Sequence, residues 1–151
     1  MRLGHYLELL RRAQGNLARG YRAAASAHQA EVDIFYTCQR LASQADGQIA
    51  ALAPYLARYP VPRQDEPAAD PSAAFHGPRG PGVGLLRDLQ DLYLMAAECD
   101  LSWLLLDRSA QGVRDAELLL TVRRCHDQTR TQLAWLRTQL TQSSVQALVV
   151  A

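Results

Sequence analysis

Proline is spread so unevenly along this chain that it nearly dictates the architecture. Residues 5–59 hold one proline, Pro54, and residues 85–142 hold none, whereas residues 60–84 read PVPRQDEPAADPSAAFHGPRGPGVG. Proline lacks the amide proton a helix interior needs, and its ring clashes with the preceding turn. The two proline-poor stretches are therefore open to long helices, and the dense one is not. The chain reads as two helical halves joined by one long irregular connection.

Hydrophobic period divides each half again. Tyr6, Leu10, Ala13, Leu17, Tyr21 and Ala24 recur at three- and four-residue steps, the mark of an amphipathic helix. A second stripe runs Phe35, Cys38, Ala42, Ile49, Ala53 and Leu56, with the phase broken near SAHQAEVD. In the second half Leu85, Leu89, Leu92, Ala96, Cys99, Trp103 and Leu106 share a face, and Leu94, Leu101 and Leu105 widen it. Gly112 then ends one helix, and Asp115 is placed to cap the next. That last helix carries Leu119, Val122, His126, Thr129, Leu133, Leu136 and Leu140 on one side. The spacing predicts helices at 4–28, 31–59, 84–111 and 116–141, a crossover loop at 60–83 and an apolar tail at 143–151. Pro54 is expected to kink or shorten the second helix, and Gly15, Gly20 and Gly47 to weaken theirs unless backbones approach there.

Composition narrows the class. At 151 residues and 48% hydrophobic, the chain suits one globular domain with a real core. Its net charge is +1, and every cation is Arg, with no Lys. That balance gives no field to draw nucleic acid or an anionic membrane. No apolar run reaches the length that spans a bilayer. Glu8, Arg11 and Arg12 interrupt the apolar core a secretory leader needs. Cys38, Cys99 and Cys125 are an odd number at wide spacing, which reads as reduced thiols and a cytoplasmic protein.

Two short connections around one long one allow two hairpins whose inner helices run parallel. In this the chain resembles the ferritin-like four-helix bundles: all-α, antiparallel hairpins, a long crossover between the second and third helices. The resemblance implies a mid-bundle di-metal site, a Glu from each of two helices and Glu-x-x-His from each of the other two. The residues depart from that pattern. The middle of the first helix offers Gln14, Gly15, Asn16 and Leu17, with no carboxylate. The second has Asp46, but Ile49 stands three residues on. The third has Glu98, and the fourth has His126 and Thr129 where Glu and His are expected. Read this way, the dinuclear site is degenerate, and no cofactor is expected. A residual iron or manganese site on Glu98, His126 and Asp46 is the alternative.

The string RRCHDQTR sets Cys125, His126 and Asp127 side by side, yet helical neighbours point about 100° apart and cannot converge on one atom. His126 is expected in the core, hydrogen-bonded to Glu98, which needs a partner: His126, Arg22, Arg130 or an ion. Cys99 and Cys125 read as small buried residues beside that cluster. His28 and Glu31 mark the first corner, with surface or capping duty. In the tail, Val145, Leu148, Val149 and Val150 either fold back or dock on a partner. The broad apolar face of the third helix exceeds what one seam needs. The expected role is association, as a homo-oligomer or with another protein, with no catalytic residues. A small-molecule-binding bundle is a further alternative.

Overall fold

A computed structural model describes residues 1–62 and 70–150. They form four α-helices with no strand among the described residues: α1 Leu3–Ala27, α2 Val32–Arg58, α3 Val83–Gly112 and α4 Ala116–Leu148. α1 packs on α2 and α3, and α4 packs on α3 and α2. Neighbours meet end to opposite end. His28, just past α1, touches Asp88 near the start of α3, and Arg58 at the end of α2 touches Asp115 at the start of α4. Tyr21 of α1 reaches Gln132 of α4 across the interior.

The core is built of leucine and two large aromatics. Leu7, Leu10, Leu17, Tyr21, Leu52, Leu89, Leu92, Trp103, Leu106, Leu118 and Leu136 are all fully buried. Each such leucine stabilises the fold by roughly 1.5–3 kcal/mol relative to exposure. Glycine allows the closest helix approaches. A Cβ on Gly20 would stand 3.1 Å from Leu92 Cδ2, and one on Gly4 would collide with the Tyr59 carbonyl. Those contacts tie α1 to α3 at one end and to the close of α2 at the other.

α2 runs through Pro54 to Arg58, so proline does not shorten it and its bounds lie within one residue of the expected 31–59. The carbonyl that proline leaves without a helical donor belongs to Ala50, which is exposed and can be hydrated. α4 passes 141 and ends at Leu148, so residues 143–148 are its last turns and not a separate tail. No Gly or Pro interrupts TQSSVQAL, and Thr141 and Ser144 bond back onto the carbonyls of Arg137 and Thr141 without breaking the helix. Asp115 caps α4 by accepting the Leu118 amide at 3.0 Å.

Residues 70–82 of the crossover carry no regular helix or strand but are tied to α3 through the amides of Ser72, Ala73, His76 and Arg79. Phe75 and Ala73 pack against the core, with Phe75 beside Gly20. This strap lies over the α1/α3 side of the bundle. No helix is long and apolar enough to cross a membrane, among the described residues.

Candidate functional site

Three regions carry the chemistry: the mid-bundle residues singled out in the sequence, the polar cluster beneath the strap, and the outer face of α3.

The mid-bundle residues do not converge. Asp46 is half-exposed and forms an ion pair with Arg22 at 2.5 Å. Glu98 looks toward the strap, accepting the backbone amides of Ser72 at 3.1 Å and Ala73 at 2.8 Å. His126 is buried, but its Nε2 meets Asp100 at 2.8 Å, not Glu98. Asp100 and Glu98 differ by two positions, about 200° around the helix, so they point to nearly opposite sides and serve different neighbours. Cys99 and Cys125 are buried. Burial raises both thiols, Cys125 to about 11, so neither presents a thiolate near neutral pH. Among the described residues no three His, Cys, Asp or Glu side chains gather where they could hold one ion. The donor set therefore does not fit the di-metal centre the resemblance implies.

Amides occupy the interior instead. Gln132 accepts from Tyr21 at 2.8 Å and donates to Gln44 at 2.7 Å. Gln48 donates to Gln128 at 3.0 Å and to the Cys125 carbonyl at 3.4 Å. Gln14, fully buried, has no hydrogen-bond partner among the described residues on either amide atom. A neutral amide costs far less to bury than a carboxylate, so this layer needs no ion to exist.

The strap cluster escaped the sequence reading. Asp88 is wholly buried on α3; it meets His28 Nε2 at 2.7 Å and accepts the Arg79 backbone amide at 2.9 Å and Arg79 Nη1 at 3.0 Å. Asp91, one turn on, accepts Arg79 Nη1 and the His76 amide, each at 3.1 Å. His28 is therefore not a surface residue: it is the C-cap of α1, its amide on the Ala24 carbonyl, and its ring is buried at the end of the bundle with 5% of the residue exposed. The available signal was Asp88 standing between Leu85, Leu89 and Leu92 on an apolar face. A carboxylate there must have a buried donor, and the nearest source is the Pro/Gly segment just before it.

No family model, curated protein or solved structure matches the chain. Its own surface is then the guide. α3 turns a second apolar row outward: Leu94 is 59% exposed, Leu101 54%, Leu104 42% and Leu105 45%. With Ala97 these residues follow three- and four-residue steps along one side of the helix. That is the spacing of a seam to which a further helix packs. The end of α4 is apolar too, with Val145, Leu148, Val149 and Val150 all exposed. Trp103, the largest apolar side chain of α3, is spent wholly inside.

Proposed function

We propose that this chain is a ferritin-like bundle that works by association, as an accessory or scaffolding protein, rather than by catalysis. The carrying observation is the outward leucine row of α3, which continues a helix-packing period on a face that no described residue covers. Scattered exposed leucines are ordinary, but a row at heptad spacing on a helix already packed on its inner side is not. The end-to-end contacts of α1 with α3 and of α2 with α4 support the ferritin-like arrangement, with α2 and α3 parallel across the strap. The exposed valines and leucine at the end of α4 add a second apolar surface. The metal-binding alternative would require Glu98, His126 and Asp46 each to leave a present partner.

The test is a photo-crosslinking residue placed at position 101 of the intact chain in its native cells, with the same residue at Arg40 as control. A discrete adduct from position 101 alone is expected. No adduct from either position, together with a solution mass unchanged by Leu101→Glu, would overturn the reading.

A further inference from the structure

The charge around the leucine row narrows the partner, given the association reading above. Extended about two turns toward the start of α3 and one turn toward its end, the row begins at Arg87 and closes at Arg108. Both are exposed; Arg108 lies close enough to Asp107 to help lower that carboxyl, whose hydrogen bonds go to Arg123 and Gln111. The carboxylates of α3 are all engaged. Asp88 and Asp91 hold Arg79, Glu98 holds the strap amides, Asp100 meets His126, and Asp107 holds Arg123 and Gln111. A third cation, Arg137, flanks the row from α4; it donates to the Tyr93 hydroxyl and lies over that ring, and no carboxylate among the described residues pairs with it. The face is thus apolar in the middle and cationic at its ends, and the one carboxylate within the row, Glu98 between Leu94 and Leu101, is taken up by the strap amides.

A second copy of the same helix answers this poorly. Turning a second α3 antiparallel so that Leu94 stacks on Leu101 sets Arg87 against Arg108, and a parallel pair sets each Arg against itself. Like charges at the flanks of a seam disfavour that pairing and select an opposite one. A strand is a poor occupant as well. The backbone of α3 is internally hydrogen-bonded, and no sheet edge exists among the described residues. A side-chain row at this period fits another helix.

We propose that the outer face of α3 receives an amphipathic helix of another protein, with leucine-like residues along its seam and carboxylates near both ends. The distance from Arg87 to Arg108 along the axis is about 30 Å, so the carboxylates should be separated by roughly 20 residues.

The experiment uses the intact chain and two synthetic helical peptides of roughly 25 residues. Both carry leucine at the seam positions; one ends in glutamates, the other in lysines. Fluorescence anisotropy at low and at physiological salt reads their affinity, and light scattering reads the mass of the chain alone. The glutamate peptide should bind about ten-fold tighter at low salt, with the gap closing as salt rises. Leu101→Glu should abolish its binding, and the double variant Arg87→Glu, Arg108→Glu should reverse the preference; circular dichroism checks that both variants are folded. Equal binding of the two peptides would overturn the charge inference and leave association standing. A dimer that Leu101→Glu dissolves, with no peptide bound, would make the partner a second copy and overturn the inference. No binding and a monomeric chain would overturn both the inference and the use of this face.

Discussion

The bundle has two unlike seams. Between α1 and α3, helices approach until Gly20 meets Leu92, and the strap closes over them with a buried His28–Asp88–Arg79 cluster at the end. Between α2 and α4, the chain uses a ladder of neutral polar pairs: Gln44–Gln132, Gln48–Gln128 and Tyr55–Thr121, finished by Arg58 on Asp115 and Glu117. A cavity of about 200 Å³ lies along the ladder, lined by Gln44, Gly47, Gln48, Arg124, Cys125 and Gln128. The first seam holds by shape and by a few costly buried charges. The second holds by many modest hydrogen bonds, which fix register more than they add stability. Losing one member should therefore be severe in the first seam and mild in the second.

The largest expected effect is at Asp88. Asp88→Ala strands the buried His28 and takes away one of the two carboxylates that hold Arg79, and should cost about 3–5 kcal/mol in urea unfolding. A loss under 1 kcal/mol would mean the cluster is hydrated and the seams are more alike than drawn. In the ladder, Gln132→Ala removes two hydrogen bonds and orphans the Tyr21 hydroxyl, for about 1–3 kcal/mol by the same assay. A cost equal to that of Asp88→Ala would erase the contrast.

The end of the ladder adds a pH dependence. Burial raises the Asp115 carboxyl, but bonds from Tyr59, the Leu118 amide and Arg58 outweigh it and hold the group at about 2, against an ordinary 3.8. Its folded pKa is depressed, so its stabilisation is complete above about pH 4 and is lost as pH falls through about 2. Asp115→Asn should lower Tm at pH 7 and flatten the Tm profile between those values; an unchanged slope would show that the cap does not titrate there. Smallest, and of opposite sign, is Gln14→Leu. Removing an amide with no partner should leave Tm unchanged or raise it, by at most about 1 kcal/mol of stability. A loss above 2 kcal/mol would mean that Gln14 is hydrogen-bonded in solution.

The sequence made the four helices and the crossover legible because proline and period speak locally. It placed His126, Cys99 and Cys125 inside for the same reason. It did not assign partners. α3 touches α1, α4 and the strap on different sides, and a period shows which residues face inward without showing which neighbour they face. Hence His126 was matched to Glu98, when Asp100 looks toward α4 and Glu98 toward the strap. His28 was missed because its partner lies 60 positions away. The end of α4 was misread because apolar residues after a polar run resemble a tail, although nothing in TQSSVQAL stops a helix.

The strap's attachment has a consequence for how its letters can change. α3 grips residues 72, 73, 76 and 79 by their backbone amides, and Arg79 alone also by its side chain. Prolines stand at 71, 78 and 81 and avoid all four gripped positions. Such a segment has a spelling rule written mostly as a prohibition. The exposed Ser72 and His76 can be exchanged for nearly any residue that keeps its N–H, and Ala73, which packs on the core, for another small one, while proline at any of the three would unhook the strap. Two chains could differ at most of these letters, look unrelated there, and still be fastened in the same way.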